Sequence, residues 1–439
     1  MTALQTTRRP LRAGLALAAA VTVGAACATP AAAAYDPTPA PIAQAERPDV
    51  VAHRGASGYR PEHTLAAYEL AVAQGADVIE PDLVSTKDGV LVDRHENLID
   101  GTTDVAERPE FADRRTTKVV DGVEQTGWFT EDFTLAELKT LRAKERLPEA
   151  RPGSAAYDGM FEVPTFEEVL QLRERLSEET GREVGIIPEI KHPTYFDGIG
   201  LSQEEGVVEA LTAHGLNRPD GRATVQSFEL GNLSDLNRRL GLEADTAFLL
   251  WYEGAGYDAV AAGDEVHDYA FYTTPAGVAA TAAEGVDVYG PEARLVIGLQ
   301  EDGTLGEETG LVETAHAAGL EVVPYTFRAE NGSLPVDFRS SADEHAHGDL
   351  AGFITAHLDA GVDGFFTDFP DVGVAARDAW LADQDEAVGE DDDAPAPAEG
   401  HEVPEKVETG DAAAWGLAGA AALGAGALLA VRRRTAAAR

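Results

Sequence analysis

The sequence predicts an α/β fold, a TIM (β/α)8 barrel carrying a small insertion after its second strand. Three observations predict it. Short β-branched runs and amphipathic helical stretches alternate from about residue 49 to residue 383. Charged residues that interrupt the apolar runs fall at the C-terminal ends of the first three, the rim on which such a barrel carries its site. The 439 residues suffice for one barrel with accessory segments at either end.

Taken in order, Val50-Val51-Ala52 reads as a strand opening into His53-Arg54-Gly55. Residues 64–74 predict a short helix, with Leu65, Tyr68, Leu70 and Val72 apolar and Gly75 just past the end. Residues 78–84 are the second strand, so the unit is βαβ and the pairing parallel. From about 100 to 160 regular patterning is weak apart from a capping box at Thr134 and Glu137, and this stretch is read as an insertion overhanging the barrel mouth. A second capping box, Thr165 and Glu168, opens a helix that stops at Gly181. Residues 184–191 form the third strand. Further strands are predicted at 223–228, 246–251, 286–289, 321–327 and 362–368, separated by helices at 204–214, 230–240, 275–284, 308–318 and 349–360 and closed by one at 371–381.

The chemistry concentrates on the rim. Glu80 and Asp82 stand two apart on a strand and so point to one side. Paired carboxylates repel unless a proton or cation lies between them, and hard oxygen ligands favour Ca²⁺ or Mg²⁺. His53 and His95 flank them in sequence and could act as general acid and base on a phosphate ester. Glu189 and Lys191 are again two apart in an apolar strand.

The ordered set His-Arg-Gly at 53–55, Pro-Glu-His-Thr at 61–64, Gly-Ala-Asp-Val-Ile-Glu-Pro-Asp at 75–82, Thr-Lys-Asp-Gly at 86–89 and His95 resembles the glycerophosphodiester phosphodiesterase family, with the closer likeness to its bacterial periplasmic, calcium-dependent branch. Val-Gln-Ser-Phe at 225–228, Pro-Tyr-Thr-Phe-Arg at 324–328 and Thr-Asp-Phe-Pro at 367–370 look like further landmarks. The resemblance implies hydrolysis of a glycerophosphodiester to glycerol 3-phosphate and an alcohol. It implies one divalent cation, Ca²⁺ ahead of Mg²⁺, on Glu80, Asp82 and Glu189. Arg54 and Lys191 would bind phosphate, and His53 and His95 would serve as acid and base, the nucleophile being water or a neighbouring glycerol hydroxyl. Glu62 and Glu96 are candidates for supporting the site, Glu96 standing where the family usually has Asp; His63 reads as a helix-start residue. Trp128, Trp251, Tyr325 and Phe327 read as core, and His267, His345, His347, His357 and His401 as surface or structural. Rival readings keep the chemistry on glycerol-phosphate wall teichoic acid or a lysophospholipid, or replace it with a surface adhesin or head-group receptor.

Composition bounds the partners. With 34 basic and 77 acidic residues the net charge is −43, which excludes binding nucleic acid or an anionic membrane through bulk charge. Arg8, Arg9 and Arg12, an apolar stretch at 13–26 and Ala32-Ala33-Ala34 predict a signal peptide over 1–34. The one cysteine, Cys27, lies within it, so the mature chain needs no disulfide. Residues 384–411 read as an acidic, Pro/Ala-rich disordered spacer, 412–431 as a transmembrane or sorting-signal helix, and 432–439 as a basic cytoplasmic tail. The expectation is an exported barrel held at the cell surface, by membrane or wall, through this C-terminal segment.

Overall fold

The computed structural model describes residues 40–392. Eight parallel strands form the barrel. They are β1 (Asp49–His53), β2 (Val78–Glu80, continued by Asp82–Ser85), β3 (Gly185–Ile186, continued by Glu189–Ile190), β4 (Thr224–Ser227), β5 (Asp245–Leu250), β6 (Val288–Pro291), β7 (Glu321–Val322) and β8 (Gly364–Thr367). Neighbours pair in sequence order from β1 to β7, and β8 pairs with β1. The remaining seam, β7 to β8, closes through Asp363 N to Val322 O at 2.9 Å and Phe366 N to Pro324 O at 3.0 Å. Pro81 and Pro188 interrupt β2 and β3 because proline has no N–H to give the ladder.

The helices that follow the strands are α1 (Leu65–Ala73), α2 (Phe166–Thr180), α3 (Glu204–Ala213), α4 (Leu230–Asp235), α5 (Pro275–Ala283), α6 (Leu311–Ala317), α7 (Leu350–Asp359) and α8 (Pro370–Asp392). Local chemistry sets their ends. Thr64 caps α1 by accepting from Ala67 N, and Thr165 and Glu168 form the capping box of α2, which stops at Gly181 with φ 67°. The main core lies between the sheet and its helices, with Val50, Ile79, Val225 and Phe365 among its fully buried members. A separate cluster of Val51, Val78, Ile187, Ala247, Val288, Val323 and Phe366 fills the barrel's interior.

Three expectations change. The insertion is more regular than its sequence pattern: it holds an antiparallel hairpin, Thr116–Val120 with Val123–Gly127, and its own core around Phe111, Trp128, Phe133 and Leu141. A second hairpin, Ile297–Leu299 with Leu305–Glu308, follows β6. The last helix runs to Asp392, so the start of the expected spacer is helical.

The expected signal peptide (1–34), the rest of the spacer, the apolar segment at 412–431 and the tail at 432–439 lie outside the described residues. Among the described residues no helix is long and apolar enough to cross a membrane. That overturns the expectation of a barrel anchored at the cell surface by a C-terminal hydrophobic segment. The long helix described ahead of that segment, α8, ends at Asp392 and has an acidic sequence, Asp383-Gln384-Asp385-Glu386, rather than a spanning one.

The N-terminal face of the barrel is stapled by Asp77. Its carboxylate accepts from Arg377 of α8, from Arg47 Nη1 at 2.9 Å and from Val50 N at 3.0 Å. Burial alone would raise its pKa, but the arginines and the Val50 amide hold it below the ordinary value. Asp77→Ala leaves the buried Arg377 guanidinium with only the exposed Asp378 carboxylate and is expected to cost about 1–3 kcal/mol in urea unfolding at pH 7. Because the folded-state pKa is depressed, this contribution is full above the unfolded pKa of about 4 and is lost as pH falls through the folded value. The gap between wild type and variant therefore closes in acid, and a gap constant with pH would contradict the assignment.

Candidate active site

Strand register assembles the rim. His53 lies opposite Glu80 across β1 and β2, Asp82 opposite Glu189 across β2 and β3, and Glu189 opposite Gln226 on β4. The carboxylates of Glu80, Asp82 and Glu189 are all buried, and one oxygen from each lies within 4.8 Å of the others. Glu80 Oε2 accepts from Arg54 N at 2.6 Å and its Oε1 from Gln226 Nε2 at 3.1 Å. Asp82 Oδ2 meets His63 Nε2 at 2.8 Å, while Asp82 Oδ1 is buried with no partner. Glu189 Oε1 meets Lys191 Nζ at 2.9 Å.

Burial and the Asp82 charge push Glu80 well above the usual carboxylate range. Burial pushes Glu189 up to about 7 although Lys191 opposes it. Asp82 moves the other way: burial would raise it, but His63 and Lys191 hold it well below its ordinary value. Three oxygen donors, mutual repulsion and an orphaned buried oxygen fit a hard divalent cation.

Arg54 takes a left-handed backbone, φ 62°, at a cost of about 1–3 kcal/mol. Gly55 follows with φ 85°, and a Cβ there would lie 2.7 Å from the Ala67 backbone, so the loop after β1 requires glycine. The Arg54 side chain is buried, with Nη1 3.2 Å from Glu62 Oε2 and Nε 3.6 Å from Asp82 Oδ2. Glu62 also accepts from Arg146 of the insertion at 3.1 Å.

Both histidines face the same cavity, and each leans on a carboxylate. His53 Nδ1 lies 2.5 Å from Asp368 Oδ1, past the end of β8. His95 Nδ1 lies 2.9 Å from Glu96 Oε1, and its Nε2 3.3 Å from Lys191 Nζ. Burial, reinforced by Arg54, lowers His53 to about 4. Burial, with Arg54 and Lys191, lowers His95 to about 3. With those shifts both rings are held neutral at pH 7.

The cavity encloses about 600 Å³. Its inner end carries His53, Arg54, Glu80, His95, Glu189 and Lys191; its outer wall includes Trp251, Tyr325, Arg294 and Arg339. The four aromatics read as core therefore divide. Trp128 and Phe327 are core, whereas Trp251 and Tyr325 line the cavity. His357 is buried and structural, its Nδ1 3.0 Å from Phe353 O and its Nε2 3.2 Å from Ala293 O, both carbonyl acceptors.

Some residues escaped the sequence. His63 is no mere helix-start residue. Fully buried at φ 54°, it sits between Asp82 and Asp93, its Nδ1 2.7 Å from Asp93 Oδ1, so both ring nitrogens face carboxylates and the ring is held as a cation. Tyr68 of α1 completes this group, donating to Asp93 Oδ2 at 2.6 Å. Asp368, Gln226, Arg151 and His192 also went unassigned. Asp368 lay in a stretch already singled out, Thr-Asp-Phe-Pro, but nothing in that stretch says which histidine it meets.

Comparison with known proteins agrees with this geometry. The glycerophosphoryl diester phosphodiesterase family model matches residues 53–372. A glycerophosphodiester phosphodiesterase of Arabidopsis thaliana is 35% identical over 347 residues, covering 74% of this chain and 85% of that protein. One from Haemophilus influenzae is 31% identical over 346 residues, covering 74% and 88%. The fold matches a Silicibacter pomeroyi crystal structure described as a putative glycerophosphoryl diester phosphodiesterase, at TM-score 0.52 and 21% identity over 79% of this chain and 96% of that one.

His63→Leu removes the cation between two buried aspartates. A loss of about 3 kcal/mol or more is expected in denaturant unfolding. A loss below 1 kcal/mol would mean that Asp82 and Asp93 are satisfied without it.

Proposed function

The chain belongs to the glycerophosphoryl diester phosphodiesterase family and is an enzyme of that activity, and on this premise we propose that it hydrolyses glycerophosphodiesters to glycerol 3-phosphate and an alcohol with one divalent cation, Ca²⁺, at Glu80, Asp82 and Glu189. The observation that carries the reading is the convergence of three buried carboxylates, two carboxylate-backed histidines, Arg54 and Lys191 at the inner end of one cavity. When bound, the cation neutralises phosphoryl oxygen charge and helps orient the ester. Arg54 offers a planar fork to the phosphate and Lys191 a point charge. One of His53 and His95 takes the proton of the attacking water or glycerol hydroxyl as its oxygen bonds to phosphorus. The other ring gives a proton to the departing alkoxide as its bond to phosphorus breaks. Glu62 fixes Arg54, and Glu96 and Asp368 orient the two rings.

A specific observation favours a second substrate. Beyond Arg54 and Lys191, the cavity is lined by Arg146, Arg294, Arg328 and Arg339, against one further carboxylate, Glu292. Glu62, Glu292 and Asp368 pair with Arg146, Arg294 and Arg328, so among the described residues Arg339 is the cation of this lining left without a carboxylate partner. It favours a diester whose alcohol carries another phosphate, such as a glycerol-phosphate polymer, over a lysophospholipid.

Activity is tested by stripping the chain with chelator, offering glycerophosphocholine and following glycerol 3-phosphate with and without Ca²⁺ or Mg²⁺. Release that requires the added cation, and that falls by a factor on the order of 10²–10⁴ in His53→Ala, is the expected result. Release that ignores chelation, or a fully active His53→Ala, would refute the mechanism. Arg339→Ala separates the substrates: it should raise KM for a glycerol-phosphate oligomer several-fold and leave KM for glycerophosphocholine within about twofold.

A further inference from the structure

The insertion after β2 reaches both histidines, in each case through a carboxylate. Arg151, buried near the insertion's end, donates Nη2 to Asp368 Oδ2 at 2.5 Å, Nε to Glu330 Oε1 at 2.7 Å and Nη1 to Ser57 O at 3.1 Å. The other oxygen of Asp368 faces His53 Nδ1. Opposite, Asp121 sits in the turn of the insertion hairpin at φ 47°. Its Oδ2 lies 2.5 Å from His192 Nδ1; His192 Nε2 lies 3.0 Å from Glu96 Oε2; and Glu96 Oε1 faces His95 Nδ1. Each carboxylate thus shows one oxygen to a histidine and the other to a residue of, or reached from, the insertion, Arg328 Nε also donating to Asp368 Oδ2 at 2.8 Å.

We propose that the insertion is part of the catalytic apparatus, with Arg151, and Asp121 through His192, as positioning residues that clamp Asp368 and Glu96 and so fix the orientation and tautomer of His53 and His95. The physics is that of any oriented imidazole. A carboxylate accepting from Nδ1–H keeps the proton there and leaves the Nε2 lone pair toward the cavity. A carboxylate orients a ring only as well as it is itself held. Glu96 is the harder case, because its side chain has one more rotor than aspartate and is 41% exposed. His192 removes that freedom. It does so from a left-handed backbone, φ 51°, just ahead of Pro193 and the helix Pro193–Gly198. A non-glycine residue held there is strained, and such strain persists only where the surroundings hold it.

This inference rests on the acid–base roles of the two histidines, so the test reads positioning in two ways. In the full chain, kcat and KM for glycerophosphocholine are measured for Asp121→Asn, His192→Ala, Arg151→Met, and His192→Ala in a Glu96→Ala background. The expected result is a fall in kcat of roughly 10- to 100-fold with KM within about twofold, the size typical of partners that orient a site's ligands. His192→Ala should cost nothing further once Glu96 is gone. Unchanged kcat, a loss confined to KM, or additive losses in the double variant would overturn the proposal. Arg151→Met leaves buried Glu330 without its cation and Asp368 with Arg328 alone, so if it does not fold, the more exposed Asp121→Asn and His192→Ala decide. Independently of turnover, ¹⁵N NMR of labelled histidine should show His95 protonated on Nδ1 in the wild type and a tautomer mixture in His192→Ala. An unchanged tautomer would overturn the clamp; a wild type that turns over nothing while its tautomer shifts as expected would overturn the diesterase reading and leave the clamp standing.

Discussion

Three carboxylates converge on a buried rim, and most of the site is arranged around that fact. Two unit charges 4.8 Å apart repel by about 3 kcal/mol at the effective dielectric of a protein site, and Glu80, Asp82 and Glu189 form three such pairs. That is comparable with the whole net stability of a domain, about 5–15 kcal/mol. The structure meets part of the demand itself. His63 gives Asp82 a positive neighbour, Lys191 does the same for Glu189, and the Arg54 amide and Gln226 bond the two oxygens of Glu80. Asp82 Oδ1 is left over, buried and without a partner. The supports have supports in turn: Asp93 and Tyr68 hold His63, and Glu62 holds Arg54.

The same constraint explains the state of the histidines. A site with Arg54 and Lys191 brought in beside the acidic group is hostile to a further cation, so burial and Arg54, joined by Lys191 at His95 and by Arg328 at His53, keep both imidazoles neutral. Neutral rings can accept a proton at once. An anion bound between Arg54 and Lys191 would lower the cost of the protonated form. The insertion belongs to this arrangement, since Arg146 reaches Glu62, Arg151 reaches Asp368 and Asp121 reaches His192.

The sequence carried the barrel well because period-two and helical patterns alternate cleanly along residues 49–383, and because residues two apart on a strand must share a side. That rule placed Glu80 with Asp82 and Glu189 with Lys191 before any register was known. What escaped was what depends on chain reversal or on distant loops. Asp368 meets His53 across 315 positions, and Arg151 meets Asp368 across 217. His63 looked like a helix start because Thr64, one position on, is the cap; its part in the site follows from the left-handed turn that drives the ring inward. The insertion hairpin was invisible because Thr116–Val120 and Val123–Gly127 are largely exposed on both faces and so show no apolar alternation.

Calorimetric titration of Ca²⁺ into the chelator-stripped chain asks whether the three carboxylates form one divalent-cation site. One ion should bind per chain, with binding lost or severely weakened in each of Glu80→Gln, Asp82→Asn and Glu189→Gln while the variants remain folded. Calcium binding that survives all three substitutions unchanged, or a folded wild type that binds neither Ca²⁺ nor Mg²⁺, would contradict it.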